Sequence, residues 1–202
     1  MAINGANLGL WDWNIKTGEV KFNKNWANML GFQLKELEGN IDTWDKLIHD
    51  EDRKRVYKKL DEHLKGETSY YQSEHRLSTR AGNWKWIYDV GQVVERDNED
   101  NPTRAVGIHQ NIDSRKKTEK ILYRNKAFFQ QLFDKSSNAI ALLDNDERII
   151  RVNKSFEDIF EYNSSNIEGR KINDLIVPEN KEKEAIILSN KVKNGETCNI
   201  DT

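Results

Sequence analysis

Residues 82–112 read Gly-Asn-Trp-Lys-Trp-Ile-Tyr-Asp-Val-Gly-Gln-Val-Val-Glu-Arg-Asp-Asn-Glu-Asp-Asn-Pro-Thr-Arg-Ala-Val-Gly-Ile-His-Gln-Asn-Ile. Trp84, Trp86, Tyr88 and Val90 fall on alternate positions, and so do Val106, Ile108 and Ile112. Aromatic and β-branched residues at a period of two predict paired strands. The polar six between them, Asp97 to Pro102, predict the connecting loop. Directly after Ile112 the pattern changes to Asp-Ser-Arg-Lys-Lys-Thr-Glu-Lys-Ile-Leu, which is helical. A hairpin that feeds straight into a charged helix is an output arrangement, because whatever disturbs the sheet pulls on the helix.

Working backwards, Leu8 to Phe22 predicts a strand pair turned at Lys16-Thr17-Gly18-Glu19. Asn23 is placed to cap a helix carrying Trp26, Met29 and Leu30 on one face, with Gly31 ending it. Trp44, Leu47 and Ile48 form a short apolar segment. A longer helix then carries Val56, Leu60 and Leu64 to a stop at Gly66, with Asp50 as its expected N-cap. Tyr70 to Leu77 alternates as a third strand before the hairpin.

Forwards, Arg115 to Lys135 predicts a helix with Leu122, Phe129, Leu132 and Phe133 near heptad spacing, suited to a two-helix seam. From Ser136 the first half returns. Ile150-Arg151-Val152-Asn153-Lys154 matches Val20-Lys21-Phe22-Asn23-Lys24, 130 positions on. The same offset pairs Trp26 with Phe156, Leu30 with Phe160, Phe32 with Tyr162 and Gly39 with Gly169. After a two-residue deletion, Gly66-Glu67-Thr68 matches Gly195-Glu196-Thr197.

The segments Gly82-Asn83-Trp84-Lys85-Trp86, Gly91 and Gly107-Ile108-His109-Gln110-Asn111-Ile112, ending in Arg115-Lys116, resemble the C-terminal half of a PAS sensory domain of the Trp-rich subgroup. The resemblance implies an α+β fold, a five-stranded antiparallel sheet with helices on one face and a small cavity between. It divides the chain into a PAS domain at 5–113, a signalling helix at 114–135 and the N-terminal part of a second PAS domain at 136–202. The second copy lacks counterparts of residues 80–113, so the expectation is a chain cut from a longer protein, or a partner filling the gap.

The resemblance also places a candidate ligand pocket at Trp26, Trp44, Tyr71, Trp86, Tyr88 and Ile108, and signal transmission at Asn111, Asp113, Arg115, Leu122 and Phe129. The six tryptophans all lie in the first copy. They read first as ordinary core and sheet-face packing, and only second as the wall for a flat ligand. Family exits carry Asp where this chain has Asn111, so the charge-assisted bond of that position is lost or passes to Asp113. His63 stands on the helix that bears the axial ligand in haem-binding relatives, but a lone His is weak evidence for ligation. The first copy has no cysteine, which argues against flavin photochemistry; the single cysteine is Cys198. Haem and flavin are both disfavoured, and the cofactor, if one exists, is unassigned.

The bulk numbers exclude other classes. With 202 residues and a net charge of −2, there is no electrostatic pull toward nucleic acid or anionic lipid. Arg115-Lys116-Lys117 reads as a solvated helix face. No apolar run reaches membrane-spanning length and no export signal opens the chain, so a reducing cytoplasm is expected. One cysteine allows no internal disulfide. His49-Asp50-Glu51-Asp52 looks metal-like, but neighbours at a helix start point apart. No phosphate loop, zinc-protease, nucleophile-elbow or kinase signature is present, and no enzyme is expected. The reading is a cytoplasmic sensory module, homodimeric through its sheet or helix, from a histidine kinase of a two-component system or a diguanylate cyclase. Its rival is a ligand-free dimerisation module.

Overall fold

The computed structural model describes residues 7–193. Gly5 and Ala6, the Gly195-Glu196-Thr197 match and Cys198 lie outside the described residues. The chain forms two compact units, the first running to Ile121 and the second starting at Leu122.

The first unit opens with β1 (Gly9–Asn14) and β2 (Val20–Phe22), joined by a turn in which Gly18 has φ +78°. Asn23 then starts α1 (Lys24–Met29) by accepting the Trp26 N–H at 2.8 Å. Gly31, φ +81°, lets the chain leave it. Helix α2 (Ile41–Leu47) contains Trp44, and α3 (Asp50–Leu64) buries Val56 and His63 on its inner face. Strands β3 (Tyr71–Ser78), β4 (Trp84–Arg96) and β5 (Pro102–Asn111) follow. Pro102 opens β5 rather than closing the loop; the first residue of a strand tolerates the missing N–H.

All five strands are antiparallel neighbours in the order β2-β1-β5-β4-β3. The last strand therefore lies centrally beside the first. Trp26, Leu30, Trp44, Ile48, Val56, Leu77 and Ile87 form the core between sheet and helices. Helix α1 approaches β1 closely: a Cβ added at Gly9 would stand 2.9 Å from the Trp26 Cα.

His49, not Asp50, caps α3, its Nδ1 accepting the Glu51 N–H at 3.2 Å. Asp50 is free to meet Arg53 instead. Asp52 turns inward and holds Arg76 of β3 through its side chain and backbone at 2.9 Å. Burial opposes ionisation of Asp52, but these bonds win and hold its pKa down to about 2. Glu51 also reaches Arg76, at 2.8 Å, so the acidic run is taken up by arginines.

Helix α4 (Asp113–Lys135) begins two residues after β5. The second unit contains β6 (Ala141–Leu143), β7 (Ile149–Val152), α5 (Lys154–Phe160), α6 (Ser164–Ile167), α7 (Asn173–Ile176) and α8 (Glu182–Lys193). Its core is Ile149, Val152, Phe156, Ile167 and Ile172. The repeat holds at atomic detail. Asn23 Oδ1 accepts the N–H of Leu10 and Trp26 while its Nδ2 donates to the Leu8 carbonyl. Asn153 Oδ1 accepts from Ile140 and Phe156 and its Nδ2 donates to Asn138, each partner 130 positions on.

Candidate functional site

A cavity of about 30 Å³ lies between the inner sheet face and the helices of the first unit. Trp11, Trp13, Phe22, Trp26, Trp44 and Tyr71 surround it with aromatic rings, and Val20, Ile41, Leu60, Asp89 and His109 complete the wall. A water needs about 10–15 Å³, so the cavity as it stands admits only a water-sized occupant.

Its floor is set by two glycines. Trp11 pairs with Gly107, which pairs with Gly91. A Cβ at Gly107 would fall 2.2 Å from Trp11 Cζ2, and one at Gly91 would fall 2.3 Å from Trp11 Cη2 and Cζ2. The Trp11 indole therefore lies across two strands that carry no side chain beneath it. Its Nε1 reaches Asp89 Oδ1 at 2.9 Å, and Asp89 Oδ2 meets His109 Nε2 at 3.0 Å. Asp89 and His109 are both buried, and the pair satisfies their polar atoms where water cannot.

Around this floor, polar atoms are left over. The indole N–H groups of Trp13, Trp26 and Trp44, the Tyr71 hydroxyl and His75 Nε2 are buried without a hydrogen-bond partner. Burial, and next the neighbouring Asp89, push the Tyr71 hydroxyl well above its ordinary pKa, so it remains a donor. Burial lowers the His75 pKa to about 4, the nearby Asp89 opposing and His109 adding to the effect. Each buried unpaired group of this kind costs about 1–3 kcal/mol.

Three of the six expected pocket residues, Trp26, Trp44 and Tyr71, line this cavity. Trp86, Tyr88 and Ile108 do not. Strand alternation places them on the opposite face, where Arg76 and Lys116 stack over the Trp86 ring and Tyr88 donates to Gln72. On β3, β4 and β5 the odd-numbered residues face the helices, which brings Asp89 and His109 to the cavity instead. The signal for the missed pair was present: two polar residues alternate with the glycines that make the floor. His63 lies outside this wall. Its Nδ1 bonds the Thr68 carbonyl at 2.9 Å and its Nε2 accepts the Val93 N–H at 3.0 Å, so both ring nitrogens are engaged.

The exit from the sheet is tied at several points. Asn111 Oδ1 accepts the Asp113 N–H, and Asp113 Oδ1 accepts the Trp86 N–H at 2.8 Å. Asp113, not Asn111, thus supplies a carboxylate to the sheet at this exit. Arg115 and Lys116 both reach Glu74 of β3 at 2.7 Å, and these bonds hold the Glu74 carboxyl below its usual range. Further along α4, Leu122, Phe129 and Leu132 are exposed, the first by 68%.

Comparison with known proteins agrees with this architecture. The family described as "PAS fold" matches residues 19–109, and the one described as "PAS domain" matches 127–192. A sensory box histidine kinase/response regulator from Burkholderia thailandensis E264 is 34% identical, with a TM-score of 0.58 over 65% of this chain and 96% of that one. The N-terminal domain of a diguanylate cyclase with PAS/PAC sensor from Marinobacter aquaeolei is 22% identical, covering 54% and 97%, with a TM-score of 0.48. A domain of a putative light and redox sensing histidine kinase from Haloarcula marismortui is 20% identical, covering 55% and 94%, with a TM-score of 0.46. No curated protein matches the chain. No helix among the described residues is long and apolar enough to cross a membrane. A central hairpin beside the first strand, a ring-lined cavity under the helices and the repeated Asn-capped opening, taken with the two family matches and the Burkholderia relative, show that the chain belongs to the PAS family, with a complete first copy and a partial second one.

Proposed function

We propose that residues 5–113 form the sensor, 114–135 the transmitter and 136–202 the start of a second sensory copy, in a cytoplasmic signalling protein. The first cavity takes a small molecule through Trp26, Trp44 and Tyr71 together with Trp11, Asp89 and His109. The observation that carries this reading is that one sheet serves both ends. Asp89 of β4 and His109 of β5 sit on the cavity wall, while the Trp86–Asp113 tie joins β4, and the Glu74–Arg115 tie joins the neighbouring β3, to the start of α4. A ligand that favours one arrangement of the strands shifts the population of helix positions by its differential affinity, and no more. Two copies of 114–135 repack through Leu122 and Phe129, and a downstream kinase or cyclase domain reads the change.

The test is a ligand-screened thermal shift, since a molecule that binds only the native state must raise the melting temperature. The same molecule should alter hydrogen exchange in 113–121. A screen without any stabilising compound would remove the ligand reading.

The second reading, a dimerisation module without ligand, is favoured by the exposed Leu122, Phe129 and Leu132. These follow a-and-d spacing with Asn125 at the remaining seam position. Sedimentation of Leu122→Asp separates the cases: dimer loss with no ligand found supports the module without a ligand.

A further inference from the structure

The cavity is rich in donors and short of acceptors. The indole N–H groups of Trp13, Trp26 and Trp44 and the hydroxyl of Tyr71 are buried and unpaired, and all four side chains line the same space. The Asp89 carboxyl group on that wall is already engaged on both oxygens, by Trp11 at 2.9 Å and His109 at 3.0 Å. A buried donor that gives up water and finds no acceptor is a net loss, so an occupant that brings acceptors gains at each such contact.

Charge narrows the class. An anion would be desolvated beside the oxygens of Asp89. A cation would find ring faces and Asp89, but it has nothing to offer four donors. An uncharged aromatic ring bearing a carbonyl oxygen meets both requirements, since the ring suits the tryptophan and phenylalanine wall and the oxygen accepts from the spare N–H and O–H groups. Because the space is only about 30 Å³, entry must displace wall side chains. Trp13, Phe22, Ile41 and Leu60 are only partly buried and, unlike Trp11, are not tied to Asp89, so they are the walls that give way.

We propose that the first unit binds uncharged aromatic carbonyl compounds, whose oxygen accepts from Tyr71 and from one of the unpaired indole N–H groups. The proposal rests on the reading of this cavity as a ligand site given above.

Uniformly ¹⁵N-labelled protein titrated with acetophenone, ethylbenzene, benzoate and benzyltrimethylammonium tests it. Acetophenone, whose one oxygen accepts at most two hydrogen bonds, should move an indole N–H resonance among Trp13, Trp26 and Trp44 downfield and bind about tenfold more tightly than ethylbenzene. Tyr71→Phe should weaken acetophenone about five- to tenfold while the free variant melts no lower than the parent, because the hydroxyl it loses is unpaired. A merely structural Tyr71 would not give opposite effects on binding and stability.

Equal affinity for ethylbenzene, or tighter binding of benzoate or the quaternary ammonium, would overturn the ligand class and leave a ligand sensor standing. Binding of none of the four overturns the class too. The sensor reading falls with it only if the broad thermal-shift screen is also empty.

Discussion

The carboxylate of Asp113 accepts the backbone N–H of Trp86 at 2.8 Å, just where β5 has run out. The Trp86 carbonyl accepts the Ile112 N–H at 2.9 Å, so the ladder ends with a side chain standing in for the next carbonyl. The first residue of the helix thereby closes the end of the strand ladder. Asp113→Ala should cost about 1.5–3 kcal/mol, the range for a hydrogen bond to a charged group, and Asp113→Asn less. Urea denaturation of the first unit measures both.

Gly107→Ala should be worse than its size suggests. The added methyl would meet Trp11 at 2.2 Å and the Val90 carbonyl oxygen at 2.4 Å, and the backbone oxygen cannot swing away. We expect a loss of about 2 kcal/mol or more from overpacking. Displacing the indole also breaks the Trp11–Asp89 bond, which the Trp11 indole N–H chemical shift reports.

Glu74→Gln separates stability from coupling. Its ion pairs with Arg115 and Lys116 are partly exposed, so the melting temperature should change little, by less than about 1 kcal/mol of stability. Hydrogen exchange in the first two turns of α4 should nevertheless speed up. An unchanged exchange pattern would show that Glu74 does not hold the helix.

Acid should destabilise the first unit in two stages. His75 has its pKa lowered from 6.5 to about 4, so the neutral ring belongs to the folded state. Its contribution is whole above pH 6.5 and is lost as pH falls toward 4, about 3 kcal/mol in all. Asp52, lowered from 3.8 to about 2, contributes above 3.8 and loses its share only below that, about 2 kcal/mol. Denaturation midpoints measured from pH 7 to pH 4 should therefore fall in the parent and flatten in His75→Gln.

The two asparagine caps make a paired test. Asn153 also donates to the Phe133 carbonyl at 2.9 Å. Replacing either by Ala removes a cap and strips buried backbone groups of partners, at about 2 kcal/mol or more. Separate denaturation of the two units should show Asn23→Ala acting on the first and Asn153→Ala on the second.

Much of this was legible in the sequence because it is local. Alternation in 84–90 and 106–112 gave the hairpin, Asn23 and Asn153 gave the caps, and the 130-residue offset gave the second copy. The pocket was half legible. Trp84, Trp86, Tyr88 and Val90 form the more apolar side of β4 and so look like the side that faces the core. They lie on the outer face because the inner one is reserved for the Trp11 indole, over Gly91 and Gly107.

Periodicity along one strand fixes which residues share a face, and the sequence alone determined that much, together with the elements, the caps and the repeat. Which face turns toward the helices was decided only by tertiary packing. A ring from β1 needed side-chain-free floor on two other strands, and residues 11, 91 and 107 meet only when the sheet is assembled.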